Sequence, residues 1–451
     1  MQILSSLFFC LILITNISVG MALDDKVLLD QINYLSDYEF LASITSSYPE
    51  MKRLTEPVRG SPESQMVPND HSSSKKLFGK QHIEFDRTAV GILAVKWVLA
   101  GNYDQFTTGQ PESLRLKRES FEKLRNATLR LVERKELSAL VTSLAFNDLG
   151  KVIGFVESVE QRIGSQEVDH DNILLTALRR YSDLVPSFAK LRDGDQKMIL
   201  KGMGAKFNLG QFVQAENLPA NLKGLQGLSK DELDFNNMHT LFDVAGARGH
   251  VISNGAVVLN EPTFQYFFMA FYAMDSIESD DKSLIKAYDH YLKKRVSKLS
   301  DQYHIDALED RAIARLSFMM RCDSADQFNQ MKIAFSQLSD NAKRVFVTEL
   351  NKSGVNDHGI LLYYAPAVIV NARTSFKQNP HEGLMLALSY LAELFSLARV
   401  QNPDAKTGVY TVDCAALAEK IKNPGELNQC SMELQSVGAD ARVVLKLKSK
   451  V

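Results

Sequence analysis

The chain has 451 residues, 45% of them hydrophobic and 24% charged, proportions that suit an ordinary globular protein. A formal net charge of −2 gives no overall attraction to nucleic acid or to an anionic membrane surface, so neither partner is expected on composition. The length allows two or three average domains, or one large helical domain with an appendage.

Residues 1–22 (M-Q-I-L-S-S-L-F-F-C-L-I-L-I-T-N-I-S-V-G-M-A) are apolar and run into the acidic L-D-D. This length and the small-x-small pattern Gly20-Met21-Ala22 predict a signal peptide cleaved after Ala22, hence a secreted or periplasmic protein. An uncleaved anchor is the alternative. No later segment offers the roughly 20 uninterrupted apolar residues that span a bilayer, so no transmembrane segment is expected after signal removal.

Residues 23–76 read as an N-terminal helical segment followed by a linker: Leu28, Leu29, Ile32, Leu35 and Leu41 supply the apolar positions, and residues 56–76 are rich in Pro, Ser and charge. Helical periods dominate residues 77–320. Residues 82–100 are apolar nearly all round, which predicts a core helix. Residues 112–136 are amphipathic and charged, and a further apolar face ends at A-F-N-D-L-G-K-V, residues 145–152. Asp169 is placed to cap a helix over I-L-L-T-A-L. The fragment K-G-M-G-A-K at 201–206 superficially suggests a phosphate-binding loop, but without a P-loop's spacing or its Ser/Thr it reads better as a connecting loop.

Further helices are predicted at 231–248, 262–275, 282–299, 305–321, 325–351 and 380–399, with strands only in the tail, at 409–412 and 443–448. The last region, 321–451, is thus helical with a small β-containing end, and the fold class is mainly α. Cys414 and Cys430 flank a short helical run and an Asn-Pro-Gly turn. In an oxidising compartment a disulfide between them is expected, with two reduced buried thiols as the alternative.

Polar residues interrupt the helical core at few places. His82 opens one core helix, Asn147-Asp148 closes the next, and His170-Asp171 opens another. His239 and Asp243 lie four apart, on one helix face. Arg248 and His250 follow between glycines, and the planar arginine fork matches phosphate oxygens. Imidazoles and carboxylates at helix ends can converge on a cavity suited to a divalent metal or a phosphoester. Asn147-Asp148 could alternatively be a helix C-terminal cap leading into Gly150, or serve another binding role.

The order His82, then Asp148 in F-N-D-L-G-K, then His170, then Asp243 resembles the HD superfamily of all-helical phosphohydrolases. The resemblance covers about residues 77–275, with D-L-G-K its most specific piece. It implies an HD-like multi-helix domain over 77–320, a phosphate-containing substrate, and metal ligands at His82, Asp148, His170 and Asp243. The family's His-Asp pair is Asn147-Asp148 here, which removes an imidazole and favours Mg or Mn over Zn. A metal-free site is the other option, with His82, His239, Asp148 and Arg248 carrying the chemistry. The functional expectation is an exported phosphohydrolase or phosphodiesterase; the alternative is an inactive binding protein that kept the fold.

Overall fold

The computed structural model describes residues 23–59, 66–166, 169–402, 406–427, 430–437 and 442–449. The expected signal segment lies outside the described residues. The chain is mainly α with a small β part, and it divides into two compact units, Met1–Lys206 with Leu228–Gln265, and Phe207–Gly227 with Tyr266–Val451. The expected boundary at residue 320 therefore falls inside the second unit.

In the first unit the helices are α1 (Asp25–Tyr34), α2 (Asp37–Ser47), α3 (Pro49–Arg53), α4 (Ser73–Phe78), α5 (Ile83–Leu99), α6 (Tyr103–Phe106), α7 (Arg118–Glu133), α8 (Leu137–Phe146), α9 (Ile153–Ile163), α10 (His170–Arg180), α11 (Pro186–Ala189), α12 (Asp193–Gly204) and the long part of the site, α14 (Lys230–Gly246), which follows α13 (Leu209–Val213) of the second unit. The segment 23–55 is thus three helices, broken at residues 35–36 and at Tyr48-Pro49. The lysine–glycine fragment at 201–206 is no loop at its start: Lys201 to Gly204 form the last turn of α12. Part of the linker is also ordered into α4, capped by Ser72.

Helix α5 is the axis of this unit. Its apolar residues are buried all round, from Phe85 to Leu99, because α14, α7 and α8 surround it. Helices α5 and α14 approach closely enough to need glycines. A Cβ on Gly91 would stand 2.8 Å from the Phe242 carbonyl oxygen, and one on Gly246 only 2.1 Å from that of Arg87.

Helix α15 (Glu261–Met274) belongs to the second unit from Tyr266 on and leads there into α16 (Asp281–Leu299), α17 (Leu308–Met319), α18 (Ala325–Gln337), α19 (Asp340–Glu349), β1 (His358–Tyr363), α20 (Ala365–Ser375), α21 (Pro380–Gln401), β2 (Gly408–Asp413), α22 (Ala415–Lys420), α23 (Pro424–Leu427), β3 (Cys430–Val437) and β4 (Arg442–Ser449). The sheet order is β1-β2-β4-β3, with β1, β2 and β4 parallel and β3 antiparallel to β4. Strand β1 was not expected. The buried Arg315 ties this unit together by donating to the carbonyls of Ala215, Glu216, Asn217 and Leu350 at 2.7–3.2 Å. His358 is buried, its Nδ1 2.9 Å from Arg399. Helix α21 is long and apolar enough to cross a membrane by length and composition; it packs on α20, α19 and β1.

The Cys414–Cys430 disulfide is not formed: Cys414 and Cys322 are buried free thiols. The topology explains this. Strand β4 lies between β2, which Cys414 follows, and β3, which Cys430 begins, so the two are two strand spacings apart, about 10 Å. Cys430 also pairs with Ser449, whereas β2 meets β4 near Val443 and Val444. A bridge needs Cα atoms within roughly 7 Å, and the Cys414 thiol already donates to the Tyr363 carbonyl at 2.7 Å. Alkylation of the denatured, unreduced protein should therefore label both cysteines, and reductant should leave its Tm unchanged; a recovered Cys414–Cys430 cross-linked peptide would contradict this topology.

Candidate functional site

The end of α8 sets the site. Asn147 closes the helix in helical conformation, and Asp148 begins a 3₁₀ turn over Leu149–Lys151. This turn needs Gly150, because a Cβ there would lie 2.0 Å from the His170 carbonyl oxygen. The D-L-G-K run is therefore a tight corner on which the start of α10 rests directly.

The corner folds Lys151 back over Asp148. Its Nζ lies 2.7 Å from Asp148 Oδ1 and 3.0 Å from Glu84 Oε2. Glu84 is buried at the start of α5, and one turn on, Arg87 reaches both of its carboxylate oxygens at 3.4 Å. Asp243, from α14, receives the Asn147 amide at 3.4 Å. Three helices and one turn thus bring Glu84, Arg87, Asp148, Lys151 and Asp243 together, with Asn147 as the neutral link.

Burial raises the pKa of Asp148, with Lys151 opposing and Asp243 and Glu84 adding to the rise. Burial likewise raises that of Asp243, opposed by Arg87 and Lys151. The cations respond in the other sense: burial disfavours their charge, but the surrounding carboxylates outweigh it and raise the pKa of both Arg87 and Lys151. Asp243 has no ion pair among the described residues and accepts its hydrogen bond from the neutral Asn147 amide.

His239, one turn before Asp243, has its pKa pushed down to about 4, by burial first, against a hydrogen bond to the Ser143 backbone and the charges of Asp148 and Asp171. Its imidazole is neutral at pH 7. One ring nitrogen is committed to Ser143, which fixes the tautomer. His239 lines a cavity of about 30 Å³ with Ser143, Phe146, Asn147, Met198, Gly202, Met203 and Asn236. That is room for about one water molecule. His239 and Asp243 are packed round by protein yet keep some solvent access.

The residues expected as metal ligands are not gathered into one donor set. His82 is the N-cap of α5, its backbone N–H donating to Ser74 Oγ at 2.8 Å; from this helix Glu84 and Arg87 join the cluster. His170 is exposed and pairs with Asp171 at 3.2 Å. Asp148 and Asp243 do meet, but Lys151 holds Asp148. Among the described residues no group of three His, Cys, Asp or Glu side chains is arranged to hold a metal ion, so these donors do not fit one. Sequence reasoning missed Glu84, Arg87 and Lys151. The i,i+3 spacings of 84/87 and 148/151 were the available signal, since such pairs meet on one face.

These features define a helical protein with an ion-paired polar cluster next to a small cavity. The chain belongs to a family of unknown function, DUF6829, which it matches over residues 41–426. It has no significant match among curated proteins or among solved structures.

Removing Lys151 leaves Glu84 and Asp148 buried with too little positive charge. Lys151→Met should cost about 3–5 kcal/mol of stability, and Lys151→Arg much less; denaturant melts of the two variants check this. His239 gives a pH signature. Its folded pKa lies below the ordinary 6.5, so the unfolded chain binds the extra proton and stability rises with pH between about 4 and 6.5. His239→Gln should flatten that part of the pH–stability curve by roughly 2–3 kcal/mol. An unchanged slope would show that His239 is not the group titrating.

Proposed function

We infer that this chain is an HD-like helical hydrolase acting on a phosphoester without a resident divalent metal. The observation that carries the reading is the pairing of opposite shifts on one face of α14: a neutral His239 at the cavity wall and, one turn on, Asp243 with a raised pKa. Groups whose environments push their protonation in opposite senses divide acid and base roles between them.

The roles are assigned on these shifts and on the Asn147–Asp243 hydrogen bond. His239, with one nitrogen bound to the Ser143 backbone, offers the other as a base toward the water that attacks phosphorus. Asp243 returns a proton to the departing ester oxygen, so water adds, one P–O bond breaks, and the proton count balances. Asn147 orients Asp243 through its amide. Asp148 does not serve as a metal ligand here; with Glu84 it fixes Lys151 and Arg87, which hold positive charge beside the reacting group. Arg248 binds the phosphate from the loop that follows α14, and the Met198 and Met203 walls of the cavity are the flexible side chains that would have to part for a substrate.

A second reading has its own observation. The cavity admits little more than a water molecule, and Lys151 already satisfies both buried carboxylates, which favours a binding protein that has given up catalysis. Turnover of an activated phosphodiester by the full chain, with and without a chelator, separates the two. The hydrolase reading expects activity that survives the chelator and falls about 10²–10⁴-fold in His239→Gln and in Asp243→Asn, with both variants folded. Activity that needs added metal would overturn the metal-free mechanism, and a folded wild type with no turnover of mono- or diesters would leave the binding protein.

A further inference from the structure

The run G-A-R-G-H, residues 246–250, leaves α14 and turns directly on the backbone of α5. A Cβ on Gly246 would lie 2.1 Å from the Arg87 carbonyl oxygen, and one on Gly249 would lie 2.3 Å from that of Asp86. Only glycine permits contact of this kind. The turn is closed internally, with the Gly249 N–H donating to Gly246 at 2.8 Å and the N–H groups of Val251 and Ile252 donating to Arg248 at 2.9 and 3.0 Å. From the other side, Gln81 Nε2 and Asn69 Nδ2 donate to the His250 carbonyl at 2.8 and 3.4 Å, and Ser253 Oγ donates to His71 at 2.6 Å. The loop is therefore anchored along its length.

This anchoring sets three nitrogen-rich side chains at one place. Arg248 is exposed and His250 half-buried, and the Arg87 side chain is 29% exposed beneath them. Burial lowers the pKa of His250, and Arg87 and Arg248 lower it further, with Glu84 alone opposing. Arg87 Nε and His250 Nδ1 are both buried and have no hydrogen-bond partner among the described residues. Buried polar atoms are normally paired, so two orphans beside an exposed arginine mark a place where a ligand's acceptors fit. The nearby carboxylates do not fill the role, since Glu84 is shared between Arg87 and Lys151.

We propose that Arg87, Arg248 and His250 form a binding site for the phosphate group of a phosphorylated ligand. The fork of Arg248 takes two oxygens, and Arg87 and His250 supply further donors from the loop's floor. An anion here also offsets the charges of Arg87 and Arg248, both of which lower the His250 pKa. This deepens the phosphoester reading by giving the phosphate its place, and rests on that reading only for the identity of the anion.

The test uses inorganic phosphate and the full chain, by calorimetry and by NMR titration of the His250 imidazole. Saturable binding is expected, with a rise in the His250 pKa when phosphate is present. Arg248→Gln, a surface change, should weaken binding at least about tenfold, whereas Gln in place of the exposed Arg180 should leave it unchanged. Absence of saturable binding up to about 10 mM phosphate, an affinity that Arg248→Gln leaves unaltered, or a His250 pKa indifferent to phosphate would each overturn the proposal. Intact phosphate binding with no hydrolysis would sink only the hydrolase reading. Hydrolysis that survives Arg248→Gln with unchanged KM would sink only this site.

Discussion

The Lys151 ammonium, held between Asp148 and Glu84, is the contact on which the first unit's polar interior depends. Neither carboxylate tolerates burial alone, because an ionised group loses several kcal/mol of solvation there. A single cation within 3.0 Å of both offsets that loss for two helices at once. The geometry that delivers it is local. Asp148 and Lys151 are three residues apart on a 3₁₀ turn, and Gly150 lets that turn sit against the backbone at His170. Four separate segments of the chain are thereby fixed relative to one ammonium.

Glycine recurs wherever this arrangement needs backbones to touch. Gly91, Gly150, Gly246 and Gly249 each face a carbonyl oxygen at a distance no Cβ allows. None of the four is needed for a left-handed conformation; the constraint is steric approach. The close seating of α14 on α5 brings Asp243 beside Asp148, and the turn after it carries Arg248 and His250 onto Arg87. The polar cluster and the phosphate site proposed above are two outcomes of one tight helix pair.

Much of this frame is legible in the sequence. The all-apolar run at 82–100, the cap at Asp169, and the i,i+4 placement of His239 and Asp243 follow from periodicity and capping alone. Asp148 and Asp243 were grouped as ligands of one metal, an expectation the resemblance implied across nearly a hundred residues, and among the described residues no metal donor set forms around that pair. The partners of that pair were not legible. Glu84 and Arg87 lie inside a run whose apolar periodicity hides them, and Lys151 looks like an ordinary surface lysine until the turn bends it inward. Strand β1 was missed for a related reason: H-G-I-L-L-Y is a short apolar run without alternation, because a parallel strand buried on both faces has none. The cysteine pairing failed on topology, since no local signal says that β4 inserts between β2 and β3.

The charge balance gives the cluster its remaining property. Glu84, Asp148 and Asp243 are three acids, and Arg87 and Lys151 are two bases, which leaves one negative charge in excess; Asp171 is exposed and screened by water. Burial raises the pKa of Asp148 and Asp243 alike, and Lys151 and Arg87 oppose the rise at both. Glu84 is held by two, Asp148 by Lys151, and Asp243 only by a neutral amide at 3.4 Å. Asp243, its pKa raised by burial, thus stands one helical turn from an imidazole that burial keeps neutral.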